Sequence, residues 1–399
     1  MIELPGVSFP ARDRLYRSDR EKGLSLIELM VALALGLIIV AALAQLFVNI
    51  SRTNLEMAKT NSQIENARFA MQFLQNDIVH AGYWGGYVPD YDNLAFEIVP
   101  TDAPSEKPDP CTAFTTSDWD DSYINSVLGL PVEVYSAVPG DCGGIVLDRL
   151  DDTDILIVRH ADTLADTCAI DGTPCDPGLY MQVSNCASEI ATTPYALDPN
   201  YPVLTQLDCI TPEVRRRYIQ NLYYVRDWAY EDDPKDGIPT LVRSEFDVSG
   251  SVINHQTPEP LVEGIERFHV EVGIDRESYS GALVKLDEAI DWGPDDSDRT
   301  YPRNRGDGVA EARFERCLSN EPGCTLADLA NVVAVKIYVL ARANEASAGY
   351  VDSKNYVLGG TPPDVSDLPG GFKRHVFSST VRLNNISGRR DAPYDPNGP

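Results

Sequence analysis

The chain has 399 residues, of which 24% are charged, and its formal net charge at pH 7 is −28. This length accommodates one large domain or two ordinary ones behind an N-terminal segment. The acidic balance argues against a nucleic-acid groove, because phosphate binding needs clustered Lys and Arg, and we expect no nucleic-acid partner.

An apolar run extends from Leu24 to Val48 and is interrupted by Ser25, Glu28 and Gln45. It is long enough to cross a bilayer as a helix, so residues 24–48 are predicted to be a transmembrane helix. Five basic residues precede the run: Arg12, Arg14, Arg17, Arg20 and Lys22. Because positive residues stay in the cytoplasm, we expect a cytoplasmic N-terminus and an exported remainder.

Glu28 is the unusual residue of this run. An ionisable side chain inside a lipid span is costly and marks a candidate functional site. A secretory signal peptide, cut after Ala44, is the alternative interpretation of the segment. That alternative leaves Glu28 unexplained, and it also leaves unexplained the helical pattern that continues beyond the cut.

The helical pattern continues through residues 49–82 as an amphipathic half. Apolar residues recur there at spacings of three and four, which predicts one buried helix face. They are Ile64, Ala67, Met71, Leu74, Ile78 and Ala81. One helix is therefore predicted from about residue 24 to about residue 81, and the glycines that follow in residues 81–85 (AGYWG) end it.

The residues around the start of the apolar run carry a resemblance. Residues 22–29 (KGLSLIEL) resemble the processing site of type IV pilins and type II secretion pseudopilins. The resemblance implies a leader of residues 1–23, cleavage after Gly23 by a prepilin peptidase, and N-methylation of Leu24. It also implies that Glu28 meets the new terminal amine of a neighbouring subunit, since such an ion pair attracts strongly at low dielectric.

All eight cysteines lie beyond residue 100, and an even number there suits disulfides in an oxidising compartment. They are Cys111, Cys142, Cys168, Cys175, Cys186, Cys209, Cys317 and Cys324. Short separations favour Cys168–Cys175 and Cys317–Cys324 as local pairs, and spacing leaves the other pairings open. A zinc site is disfavoured because no C-x-x-C pair exists, and no metal is predicted.

The remaining chain, residues 83–387, is predicted to be a globular β-rich domain. Six segments have strand composition: 155–159, 221–226, 240–246, 267–274, 332–340 and 375–383. A long N-terminal helix followed by a mostly antiparallel sheet is an α+β fold. Residues 100–215, with six cysteines, are predicted to be a Cys-rich insertion, and residues 388–399 a mobile tail.

Several later blocks are similar to the PilW family of type IV pilus minor pilins. They are residues 261–266 (LVEGIE), 272–275 (VGID), 332–342 (VVAVKIYVLAR) and 374–385 (RHVFSSTVRLNN). The resemblance implies a pilin-like fold and a minor pilin that helps prime pilus assembly and stays near the pilus tip. The implied partners are other minor pilins, the major pilin, the prepilin peptidase, inner-membrane lipid and an adhesin at the tip. The implied location is the bacterial inner membrane, with a periplasmic domain, and then the pilus on the cell surface.

No common catalytic signature occurs: GxSxG, HExxH, GxxxxGK[ST] and GxGxxG are all missing. We therefore predict no enzyme, no catalytic residue and no cofactor. Acidic loops at residues 231–237 and 291–298 offer oxygen ligands for Ca²⁺, but neither has EF-hand spacing, which favours solvated turns. A type II secretion pseudopilin is the nearest alternative function, and a periplasmic protein released by signal peptidase is a further one.

Overall fold

The computed structural model describes residues 23–390 except 96, 172–174, 200–203, 232–233, 294–300, 312, 361–367 and 369. The chain divides into two units between Met57 and Ala58. The long helix α1, Leu26–Ile78, contributes residues to both. Its bounds agree with the predicted helix to within three residues, whereas residues 1–22 of the predicted leader lie outside the described part.

Eleven strands follow in the described residues. They are β1 Val132–Tyr135, β2 Ile155–Ala161, β3 Tyr180–Val183, β4 Tyr195–Asp198, β5 Arg215–Arg226, β6 Thr240–Ser249, β7 Val252–His255, β8 Glu259–Glu263, β9 Ile265–Ile274, β10 Val332–Arg342 and β11 Arg374–Arg382. All six predicted strands are present. β5 begins six residues before the predicted segment, at a run of three arginines that does not have strand composition.

The second unit contains two antiparallel sheets. In the larger one the strand order is β1-β2-β5-β3-β4, and β6 pairs with β5, β7 and β8. In the smaller one the order is β11-β10-β9, with Val335 of β10 opposite Val381 on one side and Val272 on the other. The predicted α+β class, a long N-terminal helix with mostly antiparallel sheet, is confirmed.

One face of α1 is buried from residue 63 onwards. Ala67, Ala70, Leu74 and Ile78 are 0% exposed and cluster with strand side chains such as Phe268. Removing apolar surface from water is the main stabilising term of such packing. The predicted apolar face is therefore the buried face, although its first member, Ile64, is only partly buried.

The helix ends where the glycines were predicted to end it. The backbone of Gly82 has φ +73°, and its N–H donates to the carbonyl of Arg159 on β2. Glycine adopts that conformation without strain. Trp84 is then buried, with its indole N–H donating to the carbonyl of Leu128. The turn thus joins the end of α1 to the larger sheet.

The eight cysteines form four disulfides. Cys168–Cys175 and Cys317–Cys324 are the two local pairs that sequence separation favoured. The two pairings left open by spacing are Cys111–Cys142 and Cys186–Cys209.

Residues 100–215, predicted as an insertion, are built into the fold. They contribute β1 to β4, and β2 pairs with both β1 and β5 over residues with no solvent exposure, such as Leu156 and Val158. The apolar runs there are short because the strands are short. The segment therefore supplies part of the larger sheet.

Short helices complete the described elements. They are α2 Asp121–Gly129, α3 Cys168–Asp171, α4 Ala187–Ile190, α5 Leu326–Ala330 and α6 Asn384–Arg390, together with 3₁₀ turns at Asp90–Asp92 and Gly140–Gly144.

The first three residues of the predicted mobile tail, 388–390, belong to helix α6 instead. The guanidinium of Arg390 is buried and contacts Asp92 and Asp275, and this ion-pair network fixes the helix end. Residues 391–399 of the predicted tail lie outside the described residues.

Candidate processing and assembly site

The predicted cleavage position lies just before α1. Gly23 and Leu24 are exposed, and the helix begins two residues later. A Cβ atom built on Gly23 meets no atom within 4 Å. Nothing in the fold therefore requires glycine at position 23, so a requirement for it would come from processing.

Glu28 closes a capping box at the start of α1. Its backbone N–H donates to Oγ of Ser25 at 3.2 Å, and its Oε2 accepts the backbone N–H of Ser25 at 2.9 Å. Such a box satisfies two of the N–H groups that a helix start leaves unpaired. The S-x-x-E spacing at residues 25–28 is the sequence signal for this role, which the resemblance to a processing site does not include.

The first part of α1 exposes an apolar surface. All residues from Gly23 to Leu55 are exposed, including Leu37 at 70% and Phe47 at 73%. Within the described residues, α1 is the one helix long and apolar enough to cross a membrane. Exposed apolar surface of this extent marks a membrane or protein contact.

The last turn of α1 is fixed to the larger sheet through Asp77. Its carboxylate accepts from Nε2 of His160 at 2.9 Å, from Nδ2 of Asn221 at 3.0 Å and from the hydroxyl of Tyr223 at 2.9 Å. A carboxylate is unfavourable at a helix C-terminus, where the macrodipole is negative. The three donors compensate for that position.

His160 is the titratable donor of this group. Burial lowers its pKa, but the hydrogen bond and charge of Asp77 outweigh that effect, so the pKa of His160 lies above its ordinary value. Earlier along α1, Nε2 of Gln63 donates to the carbonyl of Ala341 at 2.6 Å, and Nδ2 of Asn66 donates to that of Glu263 at 3.1 Å. Sequence reasoning missed these contacts because the partners are far apart in the chain.

In the acidic loop of residues 231–237, a carboxylate accepts hydrogen bonds from nearby backbone N–H groups. Asp236 accepts backbone N–H groups of Ala229, Tyr230 and Ile238, as expected of a turn residue. Residues 232–233 and 294–298 of the two acidic loops lie outside the described residues. Two groups with metal-ligand spacing occur in the described part, and in each the two cysteines are joined as a disulfide and hold no free thiolate.

Comparison with known proteins adds matches at both ends of the described chain. Residues 18–44 match the prokaryotic N-terminal methylation motif, and residues 222–385 match the family described as Type IV Pilus-assembly protein W. A type IV-like pilin from Thermus thermophilus is similar at 13% identity, over 59% of this chain and 80% of that one, with a TM-score of 0.21. No curated protein matches the chain.

The chain thus combines a long apolar helix that begins at a methylation motif with an antiparallel sheet domain, which is the arrangement that the resemblance to type IV pilins implied. The match of residues 222–385 confirms the predicted resemblance to the PilW family. The match covers β6 to β11 and the last five residues of β5, whereas β1 to β4 precede it.

Proposed function

We propose that this protein is a non-catalytic minor pilin that helps prime type IV pilus assembly and is incorporated near the pilus tip. The observation that carries the proposal is that one chain has two matches. A methylation motif lies at the start of an exposed apolar helix, and a region that matches PilW follows later in the chain. The chain would enter the inner membrane once, with its domain in the periplasm, before moving into the pilus.

Processing after Gly23 would change the chemistry at the helix start. The cut leaves an amine on Leu24, one helical turn from Glu28, and methylation of that amine preserves its charge. In low dielectric the amine and the carboxylate each carry a large desolvation penalty alone and attract strongly as a pair. Subunits staggered along a filament would therefore align where Glu28 of one meets the amine of the next.

The capping box adds a constraint to this mechanism. The cap uses Oε2 of Glu28, and a carboxylate has a second oxygen that accepts further hydrogen bonds. Glu28 can then cap its own helix and bind a neighbour's amine at the same time. The proposed contacts of this helix are the major pilin, the other minor pilins and membrane lipid, with the prepilin peptidase acting first.

Three variants separate the charge of Glu28 from its capping role. Glu28→Gln keeps a capping-box side chain and removes the charge, whereas Ser25→Ala removes the capping hydroxyl and keeps the charge. Glu28→Val removes the charge and the side-chain acceptor for the Ser25 N–H, and it keeps the Ser25 hydroxyl. We expect all three to insert and to be cleaved. Pilus numbers and co-purification of other minor pilins should fall for Glu28→Gln and Glu28→Val and stay near wild type for Ser25→Ala. Normal assembly of Glu28→Gln would refute the role of the charge.

A type II secretion pseudopilin shares the same N-terminal motif. Deleting the gene distinguishes the two functions, because a minor pilin is needed for pili and a pseudopilin for release of exoproteins. We expect loss of surface pili with exoprotein secretion unchanged. Loss of secretion with normal pili would replace the minor-pilin proposal with the pseudopilin one.

A further inference from the structure

The hairpin of residues 204–213 exposes two aliphatic side chains at its tip. Leu207 and Ile210 are each 82% exposed, the highest values among the large hydrophobic residues described. They flank Cys209, whose backbone has φ +54°. This hairpin precedes the region that matches the PilW family, so its side chains are a feature of this chain outside that match.

Several contacts fix the conformation of the hairpin. Thr205 and Pro212 form a bridge, and a disulfide joins Cys209 to Cys186 at the start of α4. At the tip, the carboxylate of Asp208 accepts the backbone N–H of Ile210 at 2.9 Å. Because the shape is already fixed, little conformational entropy remains to be lost when the tip binds a partner.

The hairpin and the helix beside it carry acidic side chains: Asp208 and Glu213 lie in the hairpin, and the carboxylate of Glu189 in α4 accepts from the backbone N–H and the hydroxyl of Thr205. Residues 100–215 contain 20 acidic and four basic residues. None of the four basic side chains is exposed: Arg159 and Arg215 are buried, while Lys107 and Arg149 are half-buried and donate to backbone carbonyls. The exposed charged side chains that the structure describes in residues 100–215 are therefore all acidic.

We infer that the tip is an anchor that inserts Leu207 and Ile210 into an apolar groove rimmed by Lys or Arg on a different protein. The acidic surface is complementary to such a rim, and charge complementarity selects partners and steers their encounter. A second copy of this chain fits poorly, because each copy carries a net charge of −28. Anionic lipid headgroups are repelled for the same reason.

Site-specific photo-crosslinking of the full-length chain in its native cells tests this inference. Benzoylphenylalanine is placed at Leu207, at Ile210, or at Val351, an aliphatic control that is 76% exposed outside the acidic segment. We expect adducts from the tip positions at least fivefold more abundant than from Val351, mapping to an apolar protein segment beside Lys or Arg. Adding Asp208→Asn, which keeps an oxygen acceptor for the turn, should lower the adduct yield.

The inference does not depend on cleavage after Gly23, so a failure of either proposal is visible separately. Equal adduct yields at the tip and at Val351 would overturn it, as would adducts with lipid alone or with a second copy alone. An adduct that maps to an acidic or wholly polar protein segment would also overturn it. Labelling of free thiols in each variant establishes that the four disulfides have formed, so a null result is not a folding failure.

Discussion

Replacing Asp77 by alanine tests how α1 is fixed to the larger sheet. The substitution removes the acceptor for His160, Asn221 and Tyr223, and all three of those residues are buried. The side chains of Asp77 and His160 are only 11% and 7% exposed, so water restores little of what is lost. We therefore expect a large loss of stability from a single surface-proximal helix residue.

The magnitude follows from the kind of contact. A hydrogen bond to a charged group contributes about 1.5–3 kcal/mol, and removing one partner of a buried ion pair costs about 3–5 kcal/mol. These contributions overlap, so we expect Asp77→Ala to lower the free energy of unfolding by about 3–5 kcal/mol. The second unit spans residues 58–399. For a unit of that size the corresponding drop in Tm is about 4–7 °C.

Urea and thermal unfolding of the full-length chain in detergent, with the disulfides intact, measure the effect. Asn76→Ala is the matched control, because Asn76 is the preceding helix residue and is exposed. Its free energy of unfolding should change by less than about 0.5 kcal/mol. A change below about 1 kcal/mol for Asp77→Ala would refute the view that this carboxylate fixes the helix end.

The contact between Asp77 and His160 also makes the stability of the fold depend on pH. The folded-state pKa of His160 lies above its unfolded value because of Asp77, so folding is favoured by protonation of the ring. That contribution is fully present below the unfolded pKa of about 6.5 and is lost as pH rises through the folded pKa. The stability difference between wild type and Asp77→Ala should therefore shrink as pH rises above about 6.5, and an unchanged difference would exclude the charged pair.

Two further predictions concern the two ends of the described chain. Gly23→Leu should leave an uncut precursor in the membrane fraction with normal unfolding behaviour, because a Cβ at this position meets no neighbour; normal cleavage on an immunoblot would contradict this. Arg390→Ala should lower the free energy of unfolding by about 3–5 kcal/mol, since it removes the cation beside the buried carboxylate of Asp275 and leaves that of Asp92 with Arg389 alone. A change below about 1 kcal/mol in urea unfolding would show that α6 is not fixed by this network.

The sequence was most informative where one local pattern decides the structure. The 3.6-residue period of Ala67, Met71, Leu74 and Ile78 predicted the buried face of α1, and β-branched runs predicted six strands. These signals are read within a few residues. The processing motif around Gly23 is likewise contiguous, which is why the candidate site could be placed before any fold was known.

Contacts between distant segments could not be predicted in this way. The hydrogen bond between Asp77 and His160 joins residues 83 positions apart. No sequence pattern near either residue predicts the other as its partner. In residues 100–215 the sequence predicted β2 but not β1, β3 and β4, because each of those three strands has only four residues. The fixed position of Arg390 could not be predicted because its partners, Asp92 and Asp275, lie more than 100 residues away in the chain.

Mass spectrometry of the mature N-terminus, on protein recovered from cells, tests the central claim most directly. We expect a chain that begins at Leu24 and carries a methyl group on its α-amine. A chain that still begins at Met1, or one that begins at Gln45 after signal-peptidase cleavage, would contradict it.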